Sequence, residues 1–311
     1  MKPEDLRIVF MGTPDFAVAS LDALVKAGLQ VVAVVTAPDK PSGRGLHPTP
    51  SAVKKYAIEQ GLPVLQPEKL KDPAFINSLA QLKADVQVVV AFRMLPEVVW
   101  NMPPLGTINV HGSLLPQYRG AAPIHRAVMN GEKVTGVTTF RLQHAIDTGG
   151  ILLQEALPVG EDENTGTVYE KLSLLGAQLL VKTMKGLAAG DLNEQPQDSL
   201  IKEPLHLAPK IFTEDCIIHW DQPVAVIHNQ IRGLSPSPGA LSKLGEKTLK
   251  IYAAQPEKIA HQLAPGTMDT DGKNILRFAA NDGWITITDL QLEGKKRMLT
   301  ADFLRGYRID K

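Results

Sequence analysis

Asn109 and His111 are polar side chains two residues apart in a stretch that reads as a β-strand. Thr107, Ile108 and Val110 favour an extended backbone there because they are β-branched. Residues two apart on a strand point to the same face of a sheet, so the amide and the imidazole are neighbours. An amide can donate to a carbonyl oxygen, and an imidazole can stabilise or protonate that oxygen as charge develops on it. The pair therefore predicts chemistry at a carbonyl group.

A structural role would explain the same two residues. Buried polar side chains usually find hydrogen-bond partners, and Asn109 and His111 could form a satisfied polar patch in the core. The strand, however, runs into the loop that begins Gly112-Ser113, which places the pair near its C-terminal end. Ligands bind at that edge of an open parallel sheet. The pattern alone leaves the catalytic and the structural interpretations open.

Two loops carry isolated charges that fit either a site or a surface. Asp147 precedes a Thr-Gly-Gly turn, and an aspartate in a turn is most often structural, because its side chain bonds to the nearby backbone. Arg44 lies between two glycines at the tip of the proline-rich segment 37–50. A solvated loop is the ordinary explanation of such a tip. We expect no regular structure in segment 37–50.

The first part of the chain alternates apolar strands with amphipathic helices. Segments 6–11 and 31–36 read as strands on either side of a helix, which is the beginning of a parallel α/β sheet. Segment 85–92 is strongly apolar, as in a strand buried on both faces. The turn after the first strand lacks the Gly-x-Gly-x-x-Gly pattern, which disfavours a dinucleotide site. The predicted fold class is α/β, with a Rossmann-like parallel sheet.

The second part of the chain has a different pattern. A polar segment with three prolines, 191–210, has the composition of a linker. Beyond it, short strands at 248–253, 274–279 and 284–290 alternate with turns. That spacing predicts a smaller open β-barrel, similar to an OB fold.

The composition is that of a soluble globular protein with no bias towards one class of partner. The 311 residues include 33 basic and 33 acidic side chains, so a nucleic acid would have to bind to a local patch. The single cysteine, Cys216, excludes a disulfide framework and a cysteine-based zinc site, and no ligand cluster predicts another metal. We see neither a secretory signal nor an apolar run of about 18 residues. We therefore expect a cytoplasmic protein without a membrane partner, and a monomer by default.

A longer motif surrounds the Asn–His pair. The sequence Asn-x-His-x-Ser-Leu-Leu-Pro at 109–116, followed by Tyr-Arg-Gly-Ala-Ala-Pro at 118–123, resembles the signature of the folate-dependent formyltransferases. Its Arg-Gly-Ala-Ala-Pro continuation is most similar to those members that formylate methionyl-tRNA. The first turn, Gly-Thr-Pro-x-Phe at 12–16, and the stretch Ile-Arg-Gly-Leu-Ser-Pro-x-Pro-Gly-Ala at 231–240 resemble the family as well. The resemblance covers the whole chain.

The resemblance implies an activity and roles for the polar residues. The reaction would transfer a formyl group from 10-formyltetrahydrofolate to the α-amino group of methionyl-initiator tRNA, for the initiation of translation. Asn109 would donate to the developing oxyanion, and His111 would stabilise or protonate it. Asp147 would orient His111 and favour its cationic form. No metal is implied.

The resemblance also implies where the substrates bind. The folate pocket would be lined by residues of two turns, namely Ser113, Leu114, Leu115, Pro116, Phe92, Met94 and Leu95. The Gly-Arg-Gly tip would enter the acceptor stem of the tRNA, which makes Arg44 a tRNA contact. Two features depart from the family pattern: Leu46-His47-Pro48 stands where lysines are usual, and Arg93 stands where a glycine is expected.

The expected domains follow from the same resemblance. A formyltransferase catalytic domain would span 1–190, a linker 191–210, and an OB-like tRNA-binding domain 211–311. Two other classes of function remain open. A formyltransferase that acts on a small amine, such as a purine precursor or an amino sugar, would use the same three polar residues. The chain could also be a hydrolase that releases formate from the folate, or a folate-binding module without activity.

Overall fold

The computed structural model describes residues 1–42 and 47–308. The chain forms two compact units, each built from more than one segment. Unit 1 consists of Met1–Gly120, Thr135–Leu157 and Tyr169–Leu207, and unit 2 of Ala121–Val134, Pro158–Val168 and Ala208–Lys311.

The strands found before residue 160 alternate with helices, as the sequence predicts. They are β1 Arg7–Gly12, β2 Gln30–Val35, β3 Lys40–Ser42, β4 His47–Thr49, β5 Val64–Leu65, β6 Val86–Val90, β7 Thr107–His111, β8 Val134–Arg141 and β9 Ile151–Pro158. The helices in this part are α1 Asp15–Lys26, α2 Ala52–Glu59, α3 Pro73–Gln81, α4 Glu97–Trp100, α5 Pro123–Met129 and α6 Thr165–Ala189. A short 3-10 helix, Gln197–Leu200, lies within the predicted linker.

Local side-chain bonds explain where several helices begin. The hydroxyl of Ser51 accepts from the amide of Lys54 at the start of α2, as expected for an N-cap. An aspartate such as Asp15, in the first turn of α1, is often a partner of the first-turn amides. Instead, the amide of Phe16 donates to the hydroxyl of Tyr169 at 2.9 Å. The partner comes from α6, more than 150 residues away, so no local pattern could predict it.

The large sheet of unit 1 places β7 in its interior. The strand order is β5-β2-β1-β6-β7-β8-β9. The pairs from β5 to β7 are parallel, and β8 runs antiparallel to β7. The predicted Rossmann-like parallel sheet is confirmed, with an antiparallel addition beyond β7. Asn109 lies opposite Val89 of β6 and Phe140 of β8, so neighbouring strands fix its position on both sides.

The prediction that segment 37–50 has no regular structure is wrong. Strands β3 and β4 form an antiparallel ribbon in which Pro41 lies opposite Pro48. A proline cannot donate a backbone hydrogen bond, but both strands of a two-stranded ribbon are edges, where a missing donor is tolerated. Arg44, between these strands, lies outside the described residues.

Unit 2 contains an open antiparallel sheet with helices around it. Its further elements are α7 Thr213–Cys216, α8 Val224–Gly233, β10 Ala240–Leu244, β11 Lys247–Glu257, β12 Met268–Thr270, β13 Leu276–Ala279, β14 Trp284–Leu292, β15 Met298–Leu299 and α9 Thr300–Gly306. The strand order is β10-β11-β14-β13-β12, with β15 beside β14. Register shifts between Ile251 and Ala254 interrupt the long β11–β14 pair, and such bulges bend a strand. The predicted open barrel is confirmed.

Helix α5 belongs to unit 2, although it precedes β8 in the chain. It packs against α8, and the guanidinium of Arg126 lies 3.0 Å from the carboxylate of Asp215. Sequence periodicity shows which face of α5 is apolar, but not which partner covers that face. The predicted domain boundaries at 190 and 211 stay a prediction.

Helix α6 offers a matched test of which side chains hold unit 1 together. Leu172 is fully buried and Leu174 is 64% exposed on the same helix. Leu172→Ala should lower the free energy of unfolding by about 2–5 kcal/mol, because it leaves a cavity. Leu174→Ala should change it by less than about 0.5 kcal/mol. Urea denaturation followed by far-UV circular dichroism measures both, and equal effects would contradict the described packing.

Candidate active site

Asn109 and His111 end β7 on one face of the sheet, as predicted. The imidazole is 7% exposed, and Asn109 is half-buried. Within the described residues, the side-chain amide of Asn109 has no hydrogen-bond partner. The N–H groups of a half-buried amide without a partner stay available to a ligand. The structural interpretation, a polar patch satisfied by the protein itself, therefore does not fit Asn109.

The two ring nitrogens of His111 have different environments. Nε2 lies 2.8 Å from the backbone carbonyl oxygen of Tyr118. A carbonyl oxygen can only accept, so Nε2 is the donor and carries a proton. Nδ1 faces Oδ2 of Asp147 at 3.9 Å, with both side chains largely buried. The ring of Phe140 packs edge-on against the imidazole, with centroids 6.4 Å apart. Nδ1 is therefore the nitrogen left for chemistry, and it lies next to a carboxylate.

The carboxylate of Asp147 is itself held by the loop that follows β7. The backbone amide of Gly120 donates to Oδ2 of Asp147 at 2.9 Å. The backbone carbonyls of Asp147 and Gly149 accept from the side-chain amide of Gln197, at 2.9 and 2.7 Å. These bonds bring the sequence-predicted Asp147 to His111, although 35 residues separate them in the chain.

Residues with a left-handed backbone lie around the site. Tyr118 and Asp147 have φ of 60° and 53°, and Ala91, after β6, has φ of 47°. Aspartate tolerates this conformation, whereas a bulky residue such as tyrosine rarely adopts it. Such strain persists only where surrounding contacts impose it, and it concentrates at functional sites. Here it occurs in the two residues that face His111.

The residues expected to line a folate pocket lie at the same edge of the sheet but differ in exposure. Phe92, Met94 and Leu95 follow β6, the strand next to β7. Met94 is 74% exposed and Phe92 is half-buried, while Leu95 belongs to the core. An exposed methionine beside a site offers an adaptable apolar surface.

Most side chains of the loop after β7 form hydrogen bonds or packing contacts within unit 1. The buried hydroxyl of Ser113 donates to the carbonyl oxygen of Gln117 at 2.7 Å. Leu115 packs against Phe140 and Ile151, and Pro116 is buried, whereas Leu114 is half-buried. These side chains give the loop its shape. Their contact with a folate stays a prediction.

Arg93, the departure from the family pattern, has a structural partner. Its guanidinium donates to the backbone carbonyls of Pro67 and Glu68 and lies over the ring of Phe92, 5.6 Å from the centroid. The side chain thus turns from the strand edge towards the segment after β5. It anchors the turn that holds Phe92 and Met94.

The ribbon of β3 and β4 is fixed at its base. The carboxylate of Asp39 accepts from the ammonium of Lys54 at 2.7 Å and from the amide of Gln66 at 2.8 Å. Lys54 and Gln66 hold the pKa of the Asp39 carboxyl below its usual range, which keeps it charged. The base of the ribbon is therefore anchored to α2 and to the end of β5. Arg44 itself lies outside the described residues.

The sequence reasoning missed three residues that contact this site. Tyr118 acts through its backbone carbonyl, and Arg119 through a bidentate contact to the buried Gln197. Tyr118 and Arg119 stand inside the central motif, so the motif marks them without giving their roles. Gln197 stands in the segment that we predicted to be a linker. A glutamine amid exposed residues carries no local signal of burial.

Neither a metal-binding cluster nor a membrane-spanning helix is found among the described residues. Within residues 1–42 and 47–308, no group of three histidine, cysteine or acidic side chains is arranged to hold a metal ion. Across the same ranges, no helix combines the length and the apolar character needed to cross a membrane.

Two family models match the chain. Residues 6–184 match the model described as Formyl transferase, and residues 210–308 match the one described as Formyl transferase, C-terminal domain. Curated relatives match almost the whole length. The chain is 53% identical to a protein named Methionyl-tRNA formyltransferase from Bacteroides fragilis, over 99% of this chain and 97% of that protein. It is 54% identical to a protein of the same name from Parabacteroides distasonis, over 99% and 98%.

Solved structures share the fold at low sequence identity. An N-formyltransferase from Helicobacter canadensis, in complex with folinic acid and dTDP-3-aminofucose, matches with a TM-score of 0.68 and 17% identity, over 94% of this chain and 100% of that one. HypX from Aquifex aeolicus, in complex with tetrahydrofolic acid, matches with a TM-score of 0.66 and 19% identity. That match covers 98% of this chain and 48% of the other, so this chain spans about half of HypX.

A substitution at Gly149 tests the loop that carries Asp147. A Cβ atom at Gly149 would overlap the backbone carbonyl oxygen of Arg141, whereas one at Gly306 would meet open space. Overpacking of this kind costs about 1–3 kcal/mol, so Gly149→Ala should lower the melting temperature by about 2–6 °C. Gly306→Ala should leave it nearly unchanged. Differential scanning calorimetry gives both values, and an unchanged Gly149→Ala melting temperature would show that the loop is not packed as described.

Proposed function

The chain belongs to the methionyl-tRNA formyltransferases, and on that basis we propose that Asn109, His111 and Asp147 transfer the formyl group of 10-formyltetrahydrofolate to the α-amino group of methionyl-initiator tRNA. The observation that carries this assignment is the free amide of Asn109 beside the imidazole of His111, at the end of a central strand. Acyl transfer requires a donor for the oxygen that becomes negative and a group that exchanges protons. The site contains both within one face of β7.

Asn109 is the oxyanion donor. The formyl oxygen gains negative charge as the neutral amine attacks the formyl carbon. An amide that is half-buried and without another partner can stabilise that charge without first breaking a bond of its own. A single donor of this kind is typically worth about 2.7–4 kcal/mol in the transition state.

His111 stabilises or protonates the same oxygen through Nδ1. The proton on Nε2 is committed to the carbonyl of Tyr118, so proton exchange with the substrate occurs at the other nitrogen. The carboxylate of Asp147 faces Nδ1 at 3.9 Å. Asp147 also accepts, directly or through a water molecule, the proton that the attacking amine loses. The tetrahedral intermediate then collapses: the bond between the formyl carbon and N10 of the folate breaks, N10 takes up that proton, and tetrahydrofolate leaves. A positioned acid or base contributes about 100- to 10,000-fold.

The folate co-substrate supplies the formyl group. Phe92, Met94 and Leu95 would hold it from the end of β6, and residues 113–116 from the loop after β7. Met94 offers an apolar surface at the edge where β7 presents Asn109 and His111. Ligand pockets are lined mainly by apolar side chains together with a few polar groups.

The tRNA substrate would be held by two parts of the chain. Arg44, in the segment of the sequence that joins β3 to β4, would contact the acceptor stem, and the anchored Asp39 would fix the base of the β3–β4 ribbon. The C-terminal unit would contact the tRNA elsewhere.

We expect this activity in the cytoplasm, because its substrate is used in the initiation of translation. One chain carries all three site residues, which supports action as a monomer.

The reaction can be tested with purified components. The protein is mixed with 10-formyltetrahydrofolate and initiator tRNA charged with methionine, and formylmethionine is released from the tRNA and quantified. Elongator tRNA charged with methionine and free methionine are the controls. Formylation of the initiator tRNA alone supports the proposal. Release of free formate without a formylated product would favour the hydrolase, and formylation of small amines would favour a different acceptor.

Removal of either polar group of β7 should slow the chemical step. Asn109→Ala and His111→Ala should each lower the rate of formylation at least about a hundredfold, because each removes a group that acts in the transition state. Rates at saturating concentrations of both substrates measure this effect. Lys182→Ala, an exposed residue paired with Glu155, is the control and should leave the rate unchanged. An activity of either variant within about threefold of wild type would remove that residue from the mechanism.

Loss of the Arg44 cation should weaken the use of the tRNA and not the use of the folate. Arg44→Ala should raise the KM for methionyl-tRNA, and the slope of log KM against log salt concentration should become shallower by about one. The KM for the folate should not change. Initial rates over a series of salt concentrations give all three quantities. An unchanged dependence on tRNA and salt would exclude Arg44 from the tRNA site.

A further inference from the structure

The segment that reads as a linker has structural contacts with both loops of the site. We call residues 195–207 the brace; it lies entirely within unit 1. At its beginning, Gln195 and Ile151 exchange two backbone hydrogen bonds of 2.8 Å. At its end, the amide of Tyr118 donates to the carbonyl of His206 at 2.6 Å, and Arg119 pairs with Leu207 as in a short parallel strand. The brace therefore runs from the Asp147 loop to the loop after β7.

Gln197 is the buried centre of the brace. It is 2% exposed in a segment whose neighbours are mostly exposed. Its Oε1 accepts from Nε and Nη2 of Arg119, at 3.0 and 2.7 Å. Its Nε2 donates to the carbonyls of Asp147 and Gly149. All four contacts match the polarity of a carboxamide, in which the oxygen only accepts and the nitrogen only donates.

This set of bonds selects glutamine over its nearest relatives. A glutamate could still accept from Arg119, but it would turn an acceptor towards two carbonyl oxygens. A leucine of similar size would keep the packing and leave the buried carbonyls of the Asp147 loop without donors. Unpaired buried groups of this kind are costly. The loop would then move to satisfy them elsewhere.

The bonds from Gln197 act on the part of the loop that carries the strain. Asp147 has φ of 53°, and the backbone relaxes from such a conformation unless contacts oppose it. Oδ2 of Asp147 is held by Gly120 and the carbonyl of the same residue is held by Gln197. The first bond fixes the side chain and the second fixes the backbone that supports it.

We propose that Gln197 is a positioning residue for formyl transfer, which joins Arg119 to the backbone of Asp147 and so keeps the Asp147 carboxylate beside Nδ1 of His111. Gln197 does not touch the reacting atoms. It acts through Asp147, and the proposal rests on the catalytic roles assigned above. A displacement of about 1 Å at a reacting group can cost about a hundredfold in rate.

The test compares matched substitutions within the brace. Gln197→Leu should lower kcat about 10- to 100-fold and leave the KM for methionyl-tRNA and for the folate within about threefold of wild type. Gln197→Glu should lower kcat in the same way, because it retains the contact with Arg119 and loses both donations. Gln195→Leu is the control, because Gln195 is exposed and its bonds to Ile151 come from the backbone. It should keep the wild-type kcat.

A double-mutant cycle separates positioning from general support of the fold. In an Asp147→Asn background, Gln197→Leu should lower kcat by less than about twofold, because the group through which Gln197 acts is already impaired. A purely structural role would cost the same factor in both backgrounds, and that result would overturn the proposal. So would a wild-type kcat in Gln197→Leu, or failure of both Gln197 variants to fold in a thermal melt.

The wild-type rate in the same experiment distinguishes failure of the proposed function from failure of the role proposed for Gln197. A wild-type chain that does not formylate methionyl-tRNA would overturn the proposed function, and this inference with it. An active wild-type chain with an unaffected Gln197→Leu variant would overturn the inference alone.

Discussion

The two-sided hold on His111 is the constraint on which the site depends. Nε2 donates to the carbonyl of Tyr118, so the ring cannot rotate without losing a buried hydrogen bond. Nδ1 is thereby fixed towards Asp147, whose carboxylate is bonded to the amide of Gly120. One hydrogen bond to a backbone carbonyl therefore decides which nitrogen exchanges protons and which carboxylate that nitrogen faces.

The scaffold maintains this arrangement against local strain. Tyr118 and Asp147 both have left-handed backbones, which cost of order 1–3 kcal/mol for a bulky residue such as Tyr118 and less for an aspartate. His111 lies on a central strand that is paired on both sides. The brace forms hydrogen bonds with Tyr118, Arg119 and the Asp147 loop. Elements from three distant parts of unit 1 thus oppose the relaxation of two loops. The geometry belongs to the fold as a whole rather than to the motif alone.

The sequence predicted the features that follow from local patterns, and it did not predict those that depend on contacts between distant parts of the chain. The period of a strand placed Asn109 and His111 on one face, and the alternation of strands and helices gave the sheet. Asp147 was placed by resemblance, because it lies 36 positions after His111 and no local pattern brings the two side chains together. The brace was read as a linker, since prolines and exposed polar residues surround Gln197. The partner that buries such a residue lies far away in the chain and leaves no periodic signal.

The rate of the chemical step in Asp147→Asn tests the central claim most directly. The substitution keeps an acceptor for the amide of Gly120 and removes the charge that faces His111. Single-turnover formylation, with enzyme in excess over charged initiator tRNA, isolates this step from tRNA binding and product release. We predict a rate at least about a hundredfold below wild type, with unchanged affinity for the tRNA. A rate within about threefold of wild type would contradict the assignment of Asp147 and, with it, the proton path through His111.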